Sequence, residues 1–336
     1  MKLLVLGGTQ FVGRAVVEIA LADGIEVTTL NRGVTRAPAR GVRTVVADRT
    51  DPGALRKAIG DEEWDAVIDT WSGAPRVAAA SSELLARRTG HFGYVSTISV
   101  YADPIPPGAD EQAPVVDGDP DGADGSDYPT AKRGAELAVR RVFGGGALLA
   151  RPGLILGPYE NIGRLPWWLR RIERGGRVLA PGEAERPMVQ YVDARDLARW
   201  MLDAARRHLS GVFNVISAPG HATMGELLRT AIQVTGSDGE LVWAPDKDIL
   251  DTGISPWTEL PIWLPPGPDY DALNSMDVSA AQATGLTCRP VQETVTDTWS
   301  WLQDEGDPRP RPGRPPVGVD PAKERQVLDA LTGGPA

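Results

Sequence analysis

The sequence predicts an α/β fold: a doubly wound parallel sheet with a smaller C-terminal α/β region beside it. Three observations carry this. Over the first 150 residues, short β-branched runs alternate with helix-length amphipathic stretches, the pattern of parallel strands joined by crossover helices. A glycine-rich turn, Gly7-Gly8-Thr9-Gln10-Phe11-Val12-Gly13, links the first strand to the first helix. Beyond Arg151 the alternation loosens, and eight of the ten tryptophans fall there.

In chain order, Lys2–Leu6 reads as a strand, Phe11–Ala22 as a helix closed by Gly24, and Glu26–Leu30 as the second strand. Strands follow at Val42–Ala47 and Asp65–Asp69, with a helix at Pro52–Ile59 between them. A helix at Val77–Arg88 leads to the strand Phe92–Ser96. Asp103–Asp127, rich in Pro, Gly and Asp, reads as a long acidic surface loop. The helix Tyr128–Val142 and the strand Ala147–Arg151 come next, and the strand holding Asn214 is expected to return to the sheet. Glu305–Pro316 reads as an extended Pro- and Arg-rich segment, and Asp320–Leu331 as a terminal helix capped by Asp320. The expected divisions are 1–157 for the nucleotide-binding core, 158–304 for a substrate-binding region and 305–336 for the tail.

Composition narrows the function. With 35 basic against 45 acidic residues, the net charge of -10 argues against a nucleic-acid binder, which would need a basic face. One cysteine, Cys288, excludes an internal disulfide, and His91, His208 and His221 lack metal-ligand spacing. No apolar run has the length of a membrane span, and Gly7-Gly8 interrupts the opening apolar run too early for a signal peptide. The expectation is a cytoplasmic protein with no metal, nucleic-acid or membrane partner.

The glycine-rich turn lets backbone approach a pyrophosphate, while the helix that follows offers N–H donors and a partial positive charge. This is the Rossmann-like arrangement. An NAD site usually places an acidic residue at the end of the second strand; here the chain has Asn31-Arg32-Gly33, then Arg36, Arg40 and Arg43. A guanidinium there suits a ribose 2′-phosphate, so Arg32 points to NADP, with NAD less favoured. The later arginines read as a solvated loop.

Tyr128-Pro129-Thr130-Ala131-Lys132 sets a phenol and an ammonium on one helix face. A fixed positive charge stabilises a phenolate and fits tyrosine for proton transfer near neutral pH. With six tyrosines and five lysines, chance gives such a spacing roughly 0.1 times.

Together these motifs resemble those of the extended short-chain dehydrogenase/reductases, the NAD-dependent epimerase/dehydratase family, over roughly residues 1–305. The resemblance also rests on Tyr94-Val95-Ser96-Thr97-Ile98-Ser99-Val100-Tyr101, Arg151-Pro152-Gly153 with Gly157-Pro158, Val192-Asp193-Ala194-Arg195-Asp196-Leu197-Ala198, and Asn214. It implies Tyr128 as general acid/base, Lys132 on the nicotinamide ribose, and Thr97 as hydrogen-bond donor to the reacting oxygen. It further implies a cofactor site of Gly7, Thr9, Gln10, Phe11, Val12, Gly13, Asn31 and Arg32, with Asp48 and Arg49 beside the adenine. Thr70, Trp71 and Pro152 complete it. Asp48 could instead cap the helix after Thr50, and Thr97 could simply end a strand.

Two departures matter. Gln10 stands where the family usually has a third glycine, and the Gly-Gly-Thr-x-Phe-x-Gly-Arg form with Asn-Arg-Gly also resembles an atypical branch that includes chloroplast stem-loop RNA-binding proteins. After Thr97 the chain has Ile98-Ser99 where dehydratases carry an Asp-Glu pair, so elimination lacks its carboxylates. What remains is ketone/alcohol oxidoreduction or epimerisation through a transient ketone, on a small molecule such as a sugar nucleotide or another keto compound. A cofactor-binding regulatory or RNA-binding protein is the third reading. A homodimer fits the family's habit. Trp167, Trp168, Trp243, Trp257 and Trp263 are candidates for a substrate wall, most of all the segment 243–266, while ordinary core packing is the better reading for any single one of them.

Overall fold

The computed structural model describes residues 1–35, 39–309 and 316–331. Arg36 and residues 310–315 of the predicted extended tail lie outside the described residues. The chain forms two compact units. The first comprises Met1–Gly153, Ala194–Ile216 and Asp277–Thr287; the second comprises Leu154–Asp193, Ser217–Met276 and Cys288–Ala336.

The first unit opens with β1 (Lys2–Leu6), α1 (Phe11–Ala22), β2 (Glu26–Asn31), β3 (Arg43–Val46), α2 (Pro52–Ile59) and β4 (Ala66–Asp69). It continues with α3 (Pro75–Leu85), β5 (Phe92–Val95), α4 (Tyr128–Phe143) and β6 (Leu148–Arg151). α3 begins two residues before the expected start because Pro75 occupies its first turn, where a fixed φ and a missing N–H cost nothing. α2 is capped by Asp51, whose carboxylate accepts from the Gly53 and Ala54 N–H groups. Asp48 is therefore not the cap of this helix; its carboxylate turns back onto the Thr50 N–H and hydroxyl instead.

The chain then enters the second unit with β7 (Leu154–Leu156), α5 (Arg164–Glu173), β8 (Arg177–Pro181) and β9 (Tyr191–Asp193). It returns to the first with α6 (Ala194–Arg206) and β10 (Gly211–Asn214), then leaves again for α7 (Met224–Thr235), β11 (Glu240–Ala244) and α8 (Asp246–Asp251). A last visit to the first unit supplies α9 (Ser279–Ala283), before α10 (Val291–Glu305) and α11 (Pro321–Leu331) finish the second. The predicted cap is present: the Asp320 carboxylate accepts from the Ala322 and Lys323 N–H groups at the start of α11.

The seven strands of the first unit run in the order β10-β6-β5-β4-β1-β2-β3, all parallel. β1 and β4 are buried almost throughout, which is why they read as continuous apolar runs rather than alternating ones. α1 packs on α6, while α2, α3 and α4 pack in series. Right-handed crossovers from a central β1 place these two groups on opposite faces. The sheet order reverses beside β1, so the carboxyl ends of β1 and β4 flank the switch point where such folds bind ligands. The 103–127 loop lies close on α4, where a side chain at Gly134 would meet the Asp119 carbonyl oxygen at 2.4 Å.

In the second unit, two-stranded parallel sheets (β11-β8 and β7-β9) pack with α5, α7 and α10 around a separate apolar core. Trp168 and Trp263 belong to that core, and their indole N–H groups donate to the Pro261 carbonyl and the Asp246 carboxylate. These two side chains are packing, with their polar ends satisfied; Trp167, Trp243 and Trp257 stay half-buried around them.

Candidate active site

The turn after β1 is built for close approach. Gly7 and Gly8 have φ of +123° and +90°, and a side chain at Gly7 would stand 2.4 Å from the Thr70 hydroxyl oxygen. Gly13 lets α1 press on the turn, since a Cβ there would sit 2.7 Å from the Gly8 nitrogen. Phe11 starts α1 at φ +37°, a left-handed conformation that non-glycine residues rarely adopt, and Phe11 and Val12 are buried beneath the turn. Thr9 is half-buried and Gln10 exposed. Gln10 occupies the N-cap position with its side chain making no cap hydrogen bond, so it leaves the first N–H groups of α1 to another acceptor. A pyrophosphate fits this cradle: it supplies the acceptors that the helix lacks, in a place where side chains are excluded.

At the end of β2, the Asn31 carboxamide oxygen accepts from the Gly33 N–H, closing a turn that carries Arg32 into solvent. Hydrogen bonds from the Thr50 N–H and hydroxyl, and then the nearby Arg32 charge, hold the Asp48 carboxyl below its usual range. Thr70 donates its hydroxyl to the Leu6 carbonyl and thereby staples β4 to β1 under the glycines. Arg49 is buried, with its guanidinium forked onto the Asp69 carboxylate at 2.7 Å on both arms.

Tyr128 is the first residue of α4, with Asp127 capping the helix, and the residue is 42% exposed. Lys132, one turn on, is buried, and its ammonium donates to the Trp71 carbonyl and to the Val95 carbonyl, both at 2.7 Å. It also lies 4.8 Å from the centre of the Tyr94 ring. Burial pulls the Lys132 pKa down to about 7, against the raising influence of Asp69 and Glu136. The ammonium has three N–H donors and spends two on these carbonyls.

Thr97 follows β5, and its hydroxyl donates to the Ser99 hydroxyl at 3.1 Å while accepting from the Ser99 N–H. It thus opens the short 3-10 turn Ile98–Val100, against which α4 packs. The Pro152 carbonyl accepts from the Ile98 N–H and ties β6 to the same turn. Beneath it, Glu136 is fully buried and accepts from Ser96, Arg151 and Arg133. Burial alone would raise its carboxyl, but these donors hold it below the ordinary range.

The structure therefore gathers Lys132, Trp71 and Tyr94 into one hydrogen-bonded group, with Tyr128 one helical turn away and Thr97 on a turn packed against the same helix. Gly7, Gly13 and Thr70 form a second group. Sequence reasoning missed Asp69, Tyr94, Ser99 and Glu136. Asp69 and Glu136 carried a weak signal, a carboxylate at the end of an apolar strand and another on the buried face of a helix. Among the described residues, no set of His, Cys, Asp and Glu could hold a metal ion, and no helix is long and apolar enough to cross a membrane.

Fold and cradle define a class, the dinucleotide-binding α/β proteins. The model of the "NAD dependent epimerase/dehydratase family" matches residues 3–215, and the chain belongs to that family of enzymes. No curated protein sequence matches it significantly. Its fold is similar to the Bordetella bronchiseptica enzyme WbmH in complex with NAD+ (TM-score 0.70, 18% identity, 91% of this chain and 99% of that one). It is also similar to the UDP-glucose 4-epimerase of Thermus thermophilus in complex with NAD (0.62, 21%, 91% and 100%). A putative epimerase from Burkholderia cenocepacia J2315 gives 0.65 at 20% identity, over 90% and 97% of the two chains.

Proposed function

We propose that the protein is an NADP(H)-dependent oxidoreductase that reduces a ketone, or oxidises the corresponding alcohol, with Tyr128 as general acid/base. The observation that carries this reading is the exposed Tyr128 phenol one helical turn from a buried ammonium clamped by two carbonyls. NADP(H), when bound, supplies the hydride. Gly7, Gly13 and the N-terminus of α1 would hold its pyrophosphate, and Arg32 its 2′-phosphate. Thr97 turns its hydroxyl from Ser99 to the substrate oxygen, Tyr128 gives that oxygen a proton, and the Lys132 ammonium would stabilise the phenolate left behind and hold the cofactor ribose through its third N–H. Asp48 and the Trp71 backbone would border the cofactor.

Epimerisation of a nucleotide sugar through a transient ketone is the second reading, favoured by the likeness to UDP-glucose 4-epimerase. The two are separated by following absorbance at 340 nm with NADPH and a panel of small ketones, alongside UDP-sugars assayed for inversion. Net, stoichiometric oxidation of NADPH by a ketone supports the first reading. Inversion of a UDP-sugar with no net cofactor turnover overturns it in favour of the second.

A further inference from the structure

We propose that the buried Arg49–Asp69 pair is a positioning element for Lys132, acting through the backbone of one residue, Trp71. This rests on the role given to Tyr128 and Lys132 above and extends it to two residues that touch neither substrate nor the reacting atoms. The Asp69 carboxylate accepts from Arg49 on both oxygens, and the same Oδ1 accepts from the Trp71 N–H at 2.9 Å. At its other end, the Trp71 carbonyl accepts from the Lys132 ammonium at 2.7 Å and from the Tyr94 hydroxyl at 3.0 Å. Carboxylate and ammonium thus grip the two ends of a single residue. Its side chain is fixed as well, with the indole N–H on the Ala74 carbonyl and the Arg49 guanidinium 5.1 Å from the ring centre. Arg49 is itself held from behind by Ser81 at 2.8 Å, and Ser81 by the Val77 carbonyl.

Stability alone gives no reason for such a pair. Burying two charges costs about as much as their attraction returns, and well-packed apolar residues commonly do as well or better. A two-point hold on Trp71 does give one, because a carbonyl that drifted would release the ammonium it supports. The charged and titratable groups around Lys132 are Asp69 on β4, Tyr94 on β5, Tyr128 and Glu136 on α4, and Arg49 after β3, with Arg133 and Arg151 fastened to Glu136. Removing Asp69 takes away a negative charge and leaves Arg49 unpaired; both changes disfavour the Lys132 ammonium and lower its pKa further.

The test is ionisation of Lys132 in the full chain, read by the pH dependence of its nitrogen resonance in protein labelled with 15N-lysine, with the Lys132→Met variant assigning the signal. It needs no substrate. Asp69→Asn should lower the midpoint by about one pH unit or more. The double variant Arg49→Met/Asp69→Leu leaves no buried charge unpaired and should fold even where the single variant does not. It removes the acceptor for the Trp71 N–H, so its midpoint should fall too, while Arg49→Lys should lie nearer the parent. Folded variants that titrate with the parent overturn the inference. A shifted midpoint in a protein that turns over no ketone and no alcohol upholds it and leaves the oxidoreductase reading to fail separately.

Discussion

Replacing Lys132 with methionine should stabilise the fold while abolishing activity. The ammonium is buried, and its pKa falls from the ordinary 10.5 to about 7. The folded state therefore disfavours the charged form. That cost is complete below about pH 7 and fades as pH rises toward 10.5, where both states are neutral. At 1.36 kcal/mol per pH unit, the displacement corresponds to about 5 kcal/mol. Against it stand the Trp71 and Val95 carbonyls, which lose donors worth roughly 1–2 kcal/mol each. Trp71 keeps the Tyr94 hydroxyl. Methionine fills nearly the same volume, so the net gain near pH 6 should be about 1–3 kcal/mol. The assay is urea unfolding of parent and variant at pH 6 and pH 9.5, with cofactor affinity and turnover measured in parallel. A gain at pH 6 that shrinks at pH 9.5, together with weaker cofactor binding and no turnover, is the expected result. A variant equally destabilised at both pH values would refute the premise that the ammonium is held at a cost for the sake of chemistry.

Tyr128→Phe should lower turnover by about 10²–10⁴-fold with cofactor affinity nearly unchanged, because only the hydroxyl is lost; retention of more than about a tenth of the rate would exclude the acid/base role. NADPH should bind more tightly than NADH, and Arg32→Ala should remove about 1.5–3 kcal/mol of that difference, tenfold to over a hundredfold in titrations. Equal affinities in the parent would dismiss the 2′-phosphate assignment. Glu160 is buried beneath the start of α5, accepts from the Arg164 and Leu165 N–H groups, and is raised by burial to about 7. The second unit should therefore lose up to about 3 kcal/mol as pH rises from 4.5 to 7. Glu160→Gln should flatten that slope in urea titrations; parallel curves for the two proteins would contradict it.

The sheet was legible because its strands carry their own signal. Leu3-Leu4-Val5-Leu6 and Ala66-Val67-Ile68 are apolar on both faces, and Gly7-Gly8 marks the place where the chain must turn tightly. Tyr128 and Lys132 were legible because a helix converts a spacing of four into proximity. The Arg49–Asp69 pair was not: Asp69 ends β4 while Arg49 follows β3, β1 and β2 lie between those strands, and no local pattern couples the two residues. Thr97 was found as a residue type in a motif, yet nothing in the sequence showed that its hydroxyl rests on Ser99. The tryptophans were legible one at a time, as packing residues, but not as a group. Trp168 and Trp263 fill a core whose other members are scattered from Leu154 to Leu328, and no local pattern marks that core.

The first unit is assembled from three stretches of chain, and this sets a clock on its synthesis. When Gly153 has been made, β6 is still an open edge and α1 still lacks α6, so apolar surface on both has nothing to cover it. The strand that closes the edge and the helix that covers the face are complete only by Asn214, and α9, which packs on β10, only by Ala283. A ribosome adding roughly 5–20 residues per second needs on the order of ten seconds to travel from one point to the other. For that interval the glycine cradle is already translated while its sheet is unfinished. An N-terminal fragment ending near residue 153 should be a chaperone client rather than a small nucleotide-binding domain, and a ribosome stalled between the two points should hold a chain that cannot yet bind its cofactor.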